Sequence, residues 1–333
     1  MRTIRRYIEQ LEEAACQLDK EKSTAARIAL FLTDNLTELL MYEQVSYIFA
    51  CDSLFGKWIP PKYSPNKRKK VIYNFNEKVN FIMSETRDIQ LHEGNVLKVG
   101  HQIRNETYHT SLLREAIILS VARVYFQTLC ELLPQLWLGS ITISSEDKEE
   151  SITFLRKYGI EGPYFFSKEA LKNICSQVLG GRQCTTSNLS KVLATDLANR
   201  IEMITEELEY LSSNAFRLTG PDEVLKVLQF SQKLATEHDF PSTEDGARDY
   251  FRTYEQLLHN YSPPVTIDRM NRWKQQAFSL KTEQIAGAVL QKYSDLDRKV
   301  LPVQTLVDEA VAELDKQIEL EVDRQIESKH THN

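Results

Sequence analysis

The sequence predicts an all-α protein, and three observations carry that expectation. Glycine and proline are scarce, 11 and 10 in 333 residues. Apolar residues recur every three to four positions over long stretches, and the strict alternation of a half-buried strand is nearly absent. At 42% hydrophobic and 26% charged residues the composition is that of a soluble globular chain, and its length suffices for two ordinary domains. No apolar run approaches the ~20 residues that a membrane-spanning helix needs. The longest ones are interrupted by Arg27, Asp34, Glu38 and Glu43.

The first segment, MRTIRRYIEQLEEAACQLDKEK, is charged throughout and has neither the apolar centre nor the small-residue cleavage site of a secretory signal, so a cytoplasmic protein is expected. Next, STAARIALFLTDNLTELLMYEQVSYIF places Ile28, Leu32, Leu36, Leu39, Leu40 and Val45 at helical spacing, with Ser23 and Thr24 as candidate caps. PPKYSPNKRKK interrupts the pattern. VIYNFNEKVNFIMSE resumes it with Val71, Phe75, Val79 and Ile82 on one face. EGNVLKVGHQIRNETYH is read as the third core helix and SLLREAIILSVARVYFQTLCELL as the fourth, ending before Pro134 and Gly139. Four helices with short joins predict a bundle over residues 1–138.

The polar, acidic stretch 139–151 reads as a linker or loop, and 152–333 as a C-terminal helical extension or second helical domain. There NLSKVLATDLANRIEMITEELEYLSS and PDEVLKVLQFSQKLATEH are strong helices. A last helix, 303–327, sets Val303, Leu306, Val307, Ala310, Val311, Leu314, Ile318, Val322 and Ile326 in a stripe, opposite a mainly acidic face. That stripe should dock on its own chain or on a partner. Five cysteines without a C-x-x-C pair suggest neither a disulfide framework nor a zinc site, but reduced and mainly buried thiols.

A net charge of −6 disfavours a protein that coats nucleic acid through bulk electrostatics. Two local basic clusters remain. RTIRR opens the chain, and Lys67, Arg68, Lys69 and Lys70 are either an RNA-binding patch or a solvated helix face. LKNICSQVLGGRQCTTSNLSKVL has the helix, glycine turn, helix spacing of a DNA reader, but its second helix offers only Lys191 as a base.

The densest polar grouping is GHQIRNETYHTSLL, residues 100–113. On an ideal helix with His101 at zero, Arg104 falls at about 300°, Asn105 at about 40°, Tyr108 at about 340° and His109 at about 80°. Val96, Val99 and Ile103 lie on the opposite side. One face is for the core, the other can donate, accept and titrate. A polar stripe is also what the solvated side of any amphipathic helix looks like.

Arg104-Asn105-Glu106-Thr107-Tyr108-His109 resembles the motif of the HEPN family (higher eukaryotes and prokaryotes nucleotide-binding). These are four-to-five-helix bundles whose active members carry Arg, often a polar residue directly after it, then His after four to six intervening residues. AARIALFLTDNLTELLMYEQ is similar to the first core helix of bacterial members, with Asp34, Asn35 and Glu38 at the Asp-Asn and following Glu positions. The resemblance covers roughly residues 20–138. It implies a metal-independent endoribonuclease without a cofactor, a toxin or anti-phage defence effector. Its site would lie at a homodimer interface, with RNA as substrate and an antitoxin or defence-system protein as a further partner.

The residue types suit that chemistry. Cleavage by the 2′-hydroxyl needs a base, an acid and positive charge on the phosphorane. His109 is the expected proton-transfer group, Arg104 the planar cation for the non-bridging oxygens, and Asn105 a hydrogen-bonding partner for imidazole or phosphate. One such histidine per chain leaves a deficit, which dimerisation or His101 would fill. Asp34 and Glu38 either orient Arg104 across the bundle or are half-exposed helix carboxylates, and Tyr108 either stacks a base or packs. No metal site is expected, because the two carboxylates lack enough accompanying ligands. The alternative is a catalytically silent HEPN-type module that binds nucleotide, RNA or a protein.

Overall fold

The computed structural model describes residues 2–54, 60–109, 114–137, 141–142, 153–160, 165–214, 220–237 and 254–331. The side chains at 2–3, 109, 141–142, 165–166 and 327–331 lie outside that description. The chain is all-α. Among the described residues its α-helices include α1 (Arg2–Leu18), α2 (Ser23–Ser53), α3 (Pro65–Tyr73), α4 (Phe75–Glu85), α5 (Leu91–His109), α6 (Ile118–Leu136), α7 (Lys168–Leu179), α8 (Thr186–Asn214), α9 (Pro221–Glu237), α10 (Ile267–Ser279) and α11 (Ala286–Thr331). Among the described residues the sole strand pairing is a two-residue antiparallel contact, β1 (Ile141–Thr142) with β2 (Phe165–Phe166).

Two compact units divide the chain, Met1–Leu193 with Lys281–Lys292, and Ala194–Leu280 with Tyr293–Asn333. The break expected at 139–151 falls inside the first unit and, apart from β1, outside the described residues.

In the first unit α2 packs against α1, α4, α5 and α6, and α6 packs also against α5 and α7. Both central helices show why in their sequence. α6 buries Val121, Ala122, Val124, Tyr125, Phe126, Leu129, Leu132 and Leu133, apolar nearly all round, as a helix enclosed by others must be. α2 buries Ala25, Ala26, Ala29 and Leu30 in its first turns. Its buried hydroxyls are satisfied within the helix, Thr33 donating to the Ala29 carbonyl and Thr37 to the Thr33 carbonyl, each at 2.8 Å.

Three helix boundaries differ from the sequence expectation. The single helix expected over VIYNFNEKVNFIMSE is two, because the Asn74 side chain accepts from the Glu77 N–H at 3.0 Å and caps α4. α3 starts inside the expected break, with Ser64 as cap and Pro65 in the first turn, where a missing N–H costs nothing. α6 runs through Pro134 to Leu136, and the Trp137 N–H still reaches the Leu133 carbonyl at 3.0 Å. A proline removes only its own donor, and here the helix has two residues left to run. The start expected for α6 at Leu112 lies outside the described residues.

Other expectations shift as well. Of the five cysteines, Cys130 and Cys175 are buried and Cys184 half-buried, while Cys16 and Cys51 are exposed rather than covered. After the Gly180-Gly181 turn, Arg182 is held by Asp19, just past the end of α1, through two bonds of 2.7 and 2.6 Å, so the cation nearest the DNA-reader turn is already paired.

In the second unit a polar core joins α8 and α11. Arg200 bonds Asp297 at 2.6 Å and Gln304 at 2.9 Å, and Tyr293 donates to Asp196 at 2.8 Å. The Gln229 side chain of α9 pairs with both backbone groups of Val265. α11 begins well before residue 303, and its stripe has two fates. Val303, Val307 and Leu314 are buried, whereas Ile318, Val322 and Ile326 are exposed.

At Gly100 α5 packs closely on α6, and a β-carbon there would stand 2.5 Å from the Tyr125 ring. Gly100→Ala should therefore destabilise the protein by about 1–3 kcal/mol, despite alanine's helix preference of about 1 kcal/mol. Urea denaturation checks this, and a stabilised variant would show the two helices to be further apart.

Candidate active site

Four helices converge on one buried carboxylate. Asp34, in the middle of α2, is 0% exposed, and an uncompensated charge at that depth costs several kcal/mol. It is compensated from two sides. From α6, the Tyr125 hydroxyl donates to Oδ1 at 2.8 Å. From α5, His101 Nδ1 lies 2.9 Å from Oδ1 and 3.2 Å from Oδ2, and Arg104 Nε lies 3.3 Å from Oδ2. The Arg104 contact is a charge contact without hydrogen-bond alignment, since Nε is covered and finds no hydrogen-bond acceptor. α4 contributes Phe75, whose ring stacks on the His101 imidazole with centroids 4.1 Å apart and planes 13° from parallel.

The direction of every hydrogen bond in this cluster follows from Arg104, which has only donors. Its Nη1 bonds Asn105 at 2.7 Å, so the Asn105 atom there is the carbonyl oxygen. The amide nitrogen of Asn105 then faces His101 Nε2 at 2.9 Å and donates to it. Nε2 is an acceptor, so the His101 proton sits on Nδ1 and points at Asp34. Asp34, His101, Asn105 and Arg104 form a closed ring, with the two formal charges adjacent and two neutral groups bridging the far side. Both nitrogens of His101 are spent, and the residue is a positioning group.

Burial pushes the Tyr125 hydroxyl well above its ordinary value, with the neighbouring Asp34 carboxylate adding to the effect. Tyr125 therefore stays a donor. The Arg104 guanidinium has a second set of neighbours on its outer side. Its carbon lies 4.8 Å above the Phe31 ring of α2 and 5.9 Å from the Tyr108 ring. With 19% of the side chain exposed, it is the one member of the ring that reaches the surface as a cation.

α5 is fastened at both ends. Glu93 accepts from the Gln90 N–H at 2.6 Å, one half of a capping box. Beyond the motif, Arg114, held at φ 36°, reaches back to Glu106 at 2.7 Å.

The residues expected at the site distribute as follows. Arg104, Asn105, His101 and Asp34 are brought together. Glu38 is at the edge, 4.0 Å from His101 Nδ1 and partly exposed. Asn35 turns away from the cluster and accepts from Gln10 of α1 at 3.1 Å. Tyr108 is exposed, beside Phe31 at 6.3 Å. His109 is the last residue of α5, and its side chain lies outside the described residues.

In the basic segment, Arg68 is engaged with Asp52 at 2.6 Å, with Ser53 at 2.7 Å and over the Phe49 ring. Lys67, Lys69 and Lys70 are exposed, Lys70 pairing with Glu77 at 2.8 Å. Sequence reasoning missed Tyr125, Phe75 and Phe31. The first is one of three hydroxyls, with Ser120 and Thr128, in a mainly apolar helix, and the two phenylalanines carry no signal distinguishing them from core residues.

Among the described residues no group of three or more His, Cys, Asp or Glu side chains is placed to hold a metal ion. No described helix is long and apolar enough to cross a membrane. Comparison with known proteins returns no match: no family model, no curated protein and no solved structure.

Tyr125→Phe should cost about 1–3 kcal/mol, the penalty for withdrawing one partner from a buried carboxylate. The pH dependence has a definite sign. Folding raises the Tyr125 value, so its contribution is whole below the ordinary tyrosine value of 10.0 and is lost as pH rises toward the folded one. Denaturation midpoints should fall more steeply above that pH for wild type than for Tyr125→Phe. Equal slopes would mean that Tyr125 is not the protonated donor described.

Proposed function

We propose that this chain is a metal-independent endoribonuclease of the HEPN type, acting as a homodimer on RNA. The observation that carries this is the setting of Arg104. A buried carboxylate and an asparagine hold its guanidinium from behind, while its outer edge stays at the surface, with His109 five residues further along α5. A solvated helix face needs no such support.

In the proposed reaction His109 takes the proton from the 2′-hydroxyl, the 2′-oxygen attacks phosphorus, and the bond to the 5′-oxygen breaks. The leaving oxygen receives its proton from the same residue of a second copy. Arg104 lies against the non-bridging oxygens as charge builds on them. Asn105, His101 and Asp34 act through Arg104 by fixing its orientation. The second copy docks on the outer face of α2, where Leu39 and Tyr42 are exposed one turn apart and continue past the ring. The HEPN resemblance extends this to a cytoplasmic toxin or anti-phage defence effector with an antitoxin or defence-system partner.

His109→Ala and Arg104→Ala should each lower cleavage of total RNA by about 10²- to 10⁴-fold while leaving the helical circular dichroism unchanged. Arg104→Lys should fail as well, because an ammonium cannot reproduce the planar two-point contact. Wild-type cleavage should persist in chelator and leave 2′,3′-cyclic phosphate ends. Cleavage that survives His109→Ala, or that demands a divalent metal, rejects the proposal in favour of a silent binding module. Light scattering should give a dimer, and Tyr42→Glu should both dissociate it and abolish cleavage; a monomer that still cleaves would remove the composite site.

A further inference from the structure

Beside the ring, on the outer side of Arg104, α2 and α5 flank an open cavity of about 430 Å³, within the range of small-ligand sites. Arg27, Ile28, Phe31, Arg104, Thr107 and Tyr108 line it. Its walls are unusual for a surface that water covers. Ile28, Phe31 and Tyr108 are all large, apolar and exposed, Tyr108 at 69%. The two rings stand 6.3 Å apart and tilted by 32°, an open wedge rather than a closed stack.

The rim is cationic. Arg104 lies over Phe31, and its carboxylate partner Asp34 is wholly buried behind it. Arg27 contacts Thr24 at 3.4 Å and pairs with no carboxylate among the described residues, although acidic groups outnumber basic ones in this protein. Aromatic faces flanked by two guanidiniums match one ligand chemistry above others: a flat π-surface joined to an anion. An aliphatic occupant would leave the Arg27 guanidinium desolvated without a counter-charge.

We infer that this cavity is a nucleobase subsite, taking one unpaired base of a single-stranded RNA against the exposed Phe31 and Tyr108 rings, with the adjoining phosphates on Arg27 and Arg104. The inference rests on the ribonuclease reading and deepens it. Arg104 belongs to both the cavity and the motif, so the base seated here is a direct neighbour of the phosphate to be cut. A duplex cannot supply that base without unpairing it, and the substrate class is therefore single-stranded or looped RNA.

The test uses the full chain with His109→Ala, so that RNA is bound and not cut, and a short single-stranded RNA carrying 2-aminopurine, whose fluorescence is quenched on stacking. Wild-type surroundings should quench the probe. Phe31→Leu and Tyr108→Leu, which keep apolar bulk and remove the ring, should relieve the quenching and weaken binding by about 5- to 100-fold. Arg27→Ala should weaken it too and reduce the salt slope by about 0.7, one phosphate contact.

RNA bound tightly with quenching unchanged in both ring variants would overturn the subsite while leaving the ribonuclease reading intact. So would a duplex of the same sequence bound as well as the single strand. If light scattering shows that the ring variants dissociate a dimer without touching the quenching, the cavity is filled by a second copy and the subsite is rejected. Failure of the ribonuclease reading is read separately, as the absence of cleavage by the protein with His109 intact.

Discussion

Everything at the candidate site depends on one unfavourable placement, the carboxylate of Asp34 in the interior of α2. The carboxylate is fully buried there, and two helices, α5 and α6, bring it the partners that such a placement requires. The partners have different reach. A tyrosine hydroxyl, an imidazole and a guanidinium all meet the same two oxygens only if α2, α5 and α6 keep one register. The close contact of Gly100 with the Tyr125 ring serves the same end, since a wider spacing would lift the hydroxyl off the carboxylate.

The ring built on Asp34 also divides labour among residues that look alike in sequence. His101 and His109 are both histidines on one helix, yet the first has both nitrogens consumed and a phenylalanine over its face. Its place is in the scaffold. Asn105 is likewise occupied at both ends of its amide, between Arg104 and His101, so its influence on a substrate passes through the cation it orients. Arg104 carries its charge from the buried carboxylate out to the aromatic side of α2. That asymmetry makes it the link between the buried ring, the proposed chemistry and the aromatic cavity on its outer side.

Much of the fold was legible in the linear pattern. The three-to-four-residue spacing of apolar side chains marks α2, α4, α5 and α6 because burying a helix stripe requires that spacing. The misplaced boundaries have local causes that periodicity does not register. Asn74 caps, Pro65 starts a helix, and Pro134 is tolerated near the end of one. Along α11 the stripe is continuous in sequence but covered only as far as Leu314, since covering depends on what stands opposite.

By itself the sequence determined the helical class and the polar side of α5, because both follow from residue type and the helical repeat. It also singled out Arg104, Asn105, His101 and Asp34 as residues of interest. Which of them touch was decided only by tertiary structure. Asp34 and Asn35 are neighbours in sequence, yet one faces the ring and the other Gln10, since successive side chains on a helix point about 100° apart. Tyr125, Phe75 and Phe31 join the site from residues with no motif of their own. The pairing of a buried charge is a property of three-dimensional proximity, and no spacing along the chain encodes it.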